Sequence, residues 1–282
     1  MYSRAYLEIT NICNRSCAFC PGTRRAPRMM TVSEFRLLAG KIRPFTDYLY
    51  LHVMGEPLLH PELGTFLHIA KALGFRVVLT TNGTLLSQRR DVLLGADAPH
   101  KVHISLHSFE ANGHDGFTQY VRSCAGFARA ANAAGIIVNL RLWNLDGAES
   151  AGLNARNDEI LAILHEVFPQ PWADTTWGQR LDARVFLEYG ERFEWPELTA
   201  ETRGERGFCH ALRSQFAVLC DGSVVPCCLD HEGDMTLGNL FTEELEAILS
   251  SPAACEIRDG FTARRRTHPL CRTCGYASRF DK

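Results

Sequence analysis

The chain has 282 residues, a net charge of −2 and a charged fraction of 22%. This is enough for a barrel-sized domain of about 200 residues plus a smaller module, and the near-neutral balance excludes recognition of nucleic acid or membrane surfaces through bulk charge. No apolar run approaches the roughly 20 residues that span a bilayer, and no charged-then-apolar leader precedes the first strand, so a cytoplasmic protein is expected. Eleven cysteines, an odd count in a reducing compartment, point to metal ligands or reactive thiols rather than disulfides.

Strand-like runs and helix-like runs alternate along the chain. Residues 5–10, 47–54, 75–81, 101–107, 136–143 and 183–189 have the short apolar character of strands. Between them, residues 32–42, 60–73, 83–94, 117–134 and 157–168 repeat apolar side chains at helical spacing. The alternation predicts βα units around a parallel sheet, open or closed. From about residue 200 cysteines, glycines and short turns replace it, which predicts a second domain.

Parallel βα sheets carry their working residues in the loops after strand carboxyl ends. The stretch CNRSCAFC follows the first strand there, with Cys13, Cys17 and Cys20 at spacings of four and three. Structural zinc wants four ligands. A 4Fe-4S cubane held by three cysteines leaves one iron open for an exogenous ligand.

Cys13-x3-Cys17-x2-Cys20, with Phe19 before the last cysteine, resembles the signature of the radical S-adenosylmethionine (SAM) superfamily. The resemblance covers residues 5 to about 190. It implies an α/β fold, a partial (β/α)6 TIM-like barrel over residues 1–195, and a SAM-binding 4Fe-4S cluster on the three cysteines. It further implies that SAM chelates the open iron and that one electron splits it to a 5'-deoxyadenosyl radical, which removes a hydrogen atom from substrate. The electron would come from a donor such as flavodoxin or ferredoxin. MGEP (54–57) resembles the family's GGEP element, with Met54 replacing the first glycine; Gly55 and Glu56 are carried over as ligands of SAM's ammonium, a task that suits a carboxylate. TTNG and SLHS resemble segments lining the SAM site. These place Thr81 and Ser105 near ribose and carboxylate, with Asn139 and Arg141 on one face of strand five as further candidates.

The last third resembles the SPASM and twitch domains that carry auxiliary 4Fe-4S clusters, which implies a small cysteine-rich β-hairpin/α domain over residues 196–282. DGSVVPC reads as a hairpin turning at Asp221-Gly222 and presenting Cys227. The one-cluster twitch pattern maps onto Cys209, Cys227, Cys271 and Cys274, with Cys220 an alternative to Cys209 and Cys228 to Cys227. Cys124 and Cys255, on helix-like segments, read as core thiols. Four ligands saturate a cubane and suit it to outer-sphere electron transfer, so the expected function is a radical SAM oxidoreductase.

A small-molecule substrate is favoured because no leader-capture domain precedes the barrel; a peptide delivered by another protein, and hence a ribosomal-peptide maturase, is the alternative. A non-catalytic zinc or iron-sulfur module is the reading from another class. His107, His114, Asp115 and Tyr120 follow strand four, and His107 or Tyr120 is the expected proton acceptor. Phe193 and Trp195 are expected to pack an interdomain interface.

Overall fold

The computed structural model describes residues 1–108, 116–145 and 156–280. Strands β1 (Arg4–Leu7), β2 (Tyr48–Tyr50), β3 (Arg76–Thr81), β4 (Lys101–Ser105) and β5 (Ile137–Leu145) pair in parallel in that order. Helices α1 (Val32–Ile42), α2 (Leu63–Ala72), α3 (Arg90–Leu94), α4 (Phe117–Ala133) and α5 (Asn157–Val167) cover one face. Side chains alternate across a strand, so Leu7, Leu49, Leu79, Ile104 and Leu140 share that face and enter one apolar core with Phe35, Phe66 and Phe127 of the helices.

The helix over 32–42 is present as expected. It opens with a capping box in which Thr31 and Glu34 satisfy each other's backbone donors. The helix expected over 83–94 is confined to α3. Gly83 takes a φ of +80°, and Asn82 Oδ1 accepts from Thr84 N at 3.0 Å, a local turn that competes with helix initiation.

Two further elements were not legible as strands. β6 (Ala173–Thr175) and β7 (Gly178–Asp182) form an antiparallel hairpin at the sheet edge, against β8 (Val185–Glu191). β8 lies parallel to β5 and is the sixth barrel strand, matching the expected segment.

After the linker, β9 (Gln215–Val218) and β10 (Ser223–Val225) form the hairpin expected at Asp221-Gly222. Gly222 has a φ of +87°, and a Cβ there would lie 2.4 Å from the Phe241 ring. β9 pairs in parallel with β1, and β10 pairs with the short β11 (Gly238–Asn239). One open eleven-stranded sheet results, in the order β11-β10-β9-β1-β2-β3-β4-β5-β8-β7-β6. The apolar core is equally continuous, since Phe216, Val218 and Leu240 belong to it. Helices α6 (Leu245–Leu249), α7 (Pro252–Thr262) and α8 (Pro269–Thr273) complete the described chain. Among the described residues no helix is long and apolar enough to cross a membrane.

Candidate active site and second cysteine set

The loop after β1 holds Cys13 and Cys20 exposed and Cys17 partly exposed. Cys20 N donates to Cys17 O at 3.0 Å, closing a turn between the last two, and the Cys17 thiol lies 3.6 Å from Ser108 O, after β4. Cys13 Sγ is 3.9 Å from Asn82 Nδ2, after β3. Burial chiefly raises the Cys13 thiol, with the Glu56 carboxylate and Cys20 adding to the rise. Three accessible thiols thus meet the carboxyl ends of β1, β3 and β4, which suits a cluster with one iron left for a ligand.

Gly55 makes this approach possible. Its φ is +75°, and a Cβ there would lie 2.5 Å from Thr10 O and 2.9 Å from Ile12 O, so only glycine fits. Glu56 N then donates to Ile12 O at 2.9 Å, pinning MGEP against the cysteine loop. Glu56 was expected to hold an ammonium with its carboxylate, but that group turns inward and is 2% exposed. Oε1 accepts from Thr81 Oγ1 at 2.7 Å and Leu58 N at 3.0 Å, and Oε2 from Asn82 N at 2.7 Å. Burial raises its carboxyl to about 7, against the lowering effect of these donors. The side chain binds the ends of β2 and β3 together, and Thr81 serves Glu56 rather than facing a ribose.

Asn139 and Arg141 do share one face of β5, as expected. Both turn to Glu188 on β8: Asn139 Nδ2 donates to Oε1, and Arg141 Nε lies 3.2 Å from Oε2. Arg141 also stacks over Trp143 at 4.5 Å. Ser105 ends β4 opposite Arg141 in register. Phe19 packs on His107 with ring centroids 5.1 Å apart.

His107 Nδ1 lies 3.1 Å from Arg141 O and 3.3 Å from Trp143 N, and burial lowers the imidazole to about 4. It is therefore neutral near pH 7, and the burial that keeps it so also makes it a weak base. Tyr120 is not placed to accept a proton. It is buried on α4, its hydroxyl donates to Asn82 O at 2.7 Å, and burial pushes it well above its ordinary value. A phenol so placed braces the loop after β3. His114 and Asp115 lie outside the described residues.

Cys209, Cys227, Cys271 and Cys274 come together from three segments. Burial raises Cys227 well above the usual thiol range, and Cys228, Cys209, Cys271 and Cys274 around it add to the rise. Cys209 is pushed to about 11 by burial first, with Cys274 and Cys228 contributing. α8 presents Cys271, with His268 capping its start by accepting from Leu270 N, and Cys274 follows at its end. Among the described residues no three His, Cys, Asp or Glu side chains are placed to share one metal ion. A cubane asks for something different, because each thiolate binds its own iron and the ligands stand farther apart. The set therefore fits a cluster.

Cys220 stands outside it, beside Glu8 and Arg25. Cys228 lies beside the set and is hydrogen-bonded to Tyr6. Cys124 is buried on α4, and Cys255 on α7 meets Arg258 Nη2 at 3.0 Å. Phe193 and Trp195 pack as expected: Phe193 against Tyr276 at 5.1 Å and Trp195 against His231 at 5.4 Å.

Sequence reasoning missed two groups. Glu8, inside an otherwise apolar strand segment, is fully buried and paired with Arg25; a lone acid in AYLEIT was the available signal. Asn82 joins Glu56, Asn14 and the Cys13 thiol; its Asn-Gly turn was visible, its partners were not.

Comparison with known proteins agrees with this geometry. Residues 7–167 match the Radical SAM superfamily, and residues 209–275 match SPASM, an iron-sulfur cluster-binding domain. The chain is 34% identical to a GTP 3',8-cyclase of Chlorobaculum tepidum over 303 residues, covering 87% of each protein. It is 30% identical to an AdoMet-dependent heme synthase of Methanosarcina barkeri over 113 residues, 39% of this chain and 32% of that protein, so this match spans about a third of the relative's length. Among solved structures, BtrN in complex with AdoMet and 2-DOIA superposes with a TM-score of 0.62 at 17% identity, covering 97% of this chain and 93% of that one. The cysteine loop, the open barrel and the second cysteine set thus have one explanation: the chain belongs to the radical SAM superfamily, with a SPASM iron-sulfur domain, and its cofactors are 4Fe-4S clusters and SAM.

Proposed function

We propose that the protein is a radical SAM oxidoreductase acting on a small molecule, with Cys13, Cys17 and Cys20 holding the SAM-binding cluster and Cys209, Cys227, Cys271 and Cys274 the auxiliary one. When bound, the first cluster and SAM supply a 5'-deoxyadenosyl radical that takes a hydrogen atom from substrate, and the second supplies an acceptor for the electron left behind. The observation that supports the reading is the gathering of Cys209, Cys271 and Cys274 around Cys227, with Cys228 beside them. Four thiolates for four irons leave none open to substrate, so electron transfer is the role that remains. Glu56, Thr81 and Asn82 lock the strand ends that face SAM, and Gly55 admits the cysteine loop. His107, neutral and against Phe19 of that loop, is the proposed acceptor of the substrate proton, a role in which a charged substrate group must offset the burial that lowers its basicity. A flavodoxin- or ferredoxin-like donor would restore the reducing electron.

The similarity to a GTP 3',8-cyclase favours a second reading, a ring closure within one substrate. The two readings part on product mass, two hydrogens lighter for dehydrogenation and unchanged for rearrangement. The decisive experiment uses a Cys271→Ala/Cys274→Ala variant shown to be folded and to lack the second cluster. It should still transfer deuterium from labelled substrate to 5'-deoxyadenosine, yet make no oxidised product. Oxidised product at the wild-type rate would overturn the proposal. So would label returning from 5'-deoxyadenosine to product.

A further inference from the structure

The two faces of the barrel sheet differ in chemistry. The helix-facing residues are apolar, whereas register and alternation place Tyr6, Tyr50, Thr80, His103, Asn139 and Glu188 on the other face, interspersed with Val78 and Phe186. Contacts bear this out: Tyr6 meets the Tyr50 ring at 5.0 Å and the His52 ring at 5.3 Å, and His52 Nε2 lies 3.3 Å from Thr80 Oγ1. Barrel interiors are ordinarily filled by apolar layers.

Three polar atoms on this face have no hydrogen-bond partner although they are buried: His52 Nδ1, His103 Nδ1 and Asn139 Oδ1. His103 and Asn139 are 4% and 3% exposed. Leaving such groups unmet is costly, so a face carrying three together calls for polar partners from outside the sheet.

Charge indicates its class. Arg4 and Lys101 enter from the amino ends of β1 and β4, and neither forms an ion pair among the described residues. Arg4 lies over the Tyr50 ring at 5.5 Å. Arg141 is the third cation and is matched by Glu188 at 3.2 Å. His103 is held neutral, by burial first and then by Arg141, Lys101, His52 and Arg4 around it. Glu188, already paired with Arg141, is the carboxylate nearest in effect to Lys101, and Arg4 meets the Tyr6 hydroxyl, so three cations share one carboxylate on this face and the positive charge is in excess toward the amino end of the barrel, opposite the cysteine loop.

We propose that the barrel interior seats an anionic oxygen group of the substrate, carboxylate or phosphate, on Arg4 and Lys101, while Asn139 Oδ1 receives a hydroxyl or amine donor from the same molecule. The inference rests on the reading that the barrel holds the substrate, and narrows that substrate to a polar anion. The anion binds at the end remote from the SAM loop, so its reactive carbon points back toward Glu56 and the cysteines.

The test is a calorimetric titration of reconstituted holoenzyme with SAM bound, using inorganic pyrophosphate and succinate as probes. One of them should bind with a Kd below about 1 mM, equivalent to about 4 kcal/mol, and which one binds separates phosphate from carboxylate. Arg4→Gln/Lys101→Gln should raise that Kd by about 10-fold or more, as loss of charge-assisted contacts does, with iron content and SAM affinity retained. If the double variant loses iron, Lys101→Gln alone is titrated against the same criterion. Failure of both probes to bind, or equal binding to variant and wild type, would overturn the seat. A shifted auxiliary-cluster potential with unchanged probe affinity would overturn it too, assigning the cations to the cluster. No turnover is involved, so failure of the redox reading leaves this result standing.

Discussion

Arg25 grips Glu8 with both terminal nitrogens, at 2.7 and 2.8 Å, inside the protein. Arg25 follows the cysteine loop and Glu8 follows β1. The same carboxylate accepts from Met54 N, at the start of MGEP, and from Cys220 N on the hairpin, each at 3.0 Å, and Arg25 Nε donates to His231 O at 2.8 Å. One ion pair thus joins the Cys13–Cys20 loop, the segment after β2 and the SPASM region.

Breaking a buried pair by removing one partner costs about 3–5 kcal/mol, because the other charge stays buried. Arg25→Met should lower stability by that order, speed hydrogen exchange across residues 13–28 and weaken SAM binding. Glu8→Gln/Arg25→Met should recover part of the stability. Unchanged exchange in that loop would show that the pair does not position it.

Metal content follows from the two cysteine sets. Anaerobically reconstituted protein should hold about eight irons, taking four per cubane, and little zinc. Changing Cys13, Cys17 and Cys20 together to Ala should remove about half. Stoichiometric zinc with one cluster's worth of iron would refute the assignment of the second set.

Glu56→Ala leaves Leu58 N, Asn82 N and the Thr81 hydroxyl without their acceptor in a buried site. At about 1–3 kcal/mol per stranded group, the variant should be measurably less stable by chemical denaturation. SAM affinity should fall as well, because the carboxylate no longer ties the ends of β2 and β3 together beside the cysteine loop. SAM affinity equal to wild type would remove MGEP from the site.

Acid should destabilise the fold through its buried imidazoles. Burial lowers His52 to about 3 and His107 to about 4 from an ordinary 6.5. Between those values the unfolded chain binds protons that the folded chain refuses, so stability is full above pH 6.5 and falls as pH drops. One such group contributes up to about 3 kcal/mol between pH 6.5 and 4, at about 1.36 kcal/mol per unit. His52→Gln should flatten the slope of stability against pH. An identical slope would show that His52 titrates normally.

Much was determined by sequence alone because it is local or periodic. The spacing of Cys13, Cys17 and Cys20 is a property of consecutive residues, as are the Thr31 and Glu34 cap and the Asp221-Gly222 turn. Alternation at periods of two and 3.6 similarly located six barrel strands and most of their helices. Only the tertiary structure decided what depends on partners remote in the chain. It separated Cys220 from Cys209, Cys227, Cys271 and Cys274, because buried Glu8 and Arg25 draw Cys220 to the other cluster loop. It turned Glu56 inward, since three donors from residues 58, 81 and 82 converge on it, and it engaged Tyr120 with Asn82 O. β9 joined β1 in one sheet because an edge strand with unpaired backbone groups takes the nearest matching strand. Hydrogen bonds and ion pairs between distant segments leave no period in the sequence, so their choice of partner appears only once the chain has folded.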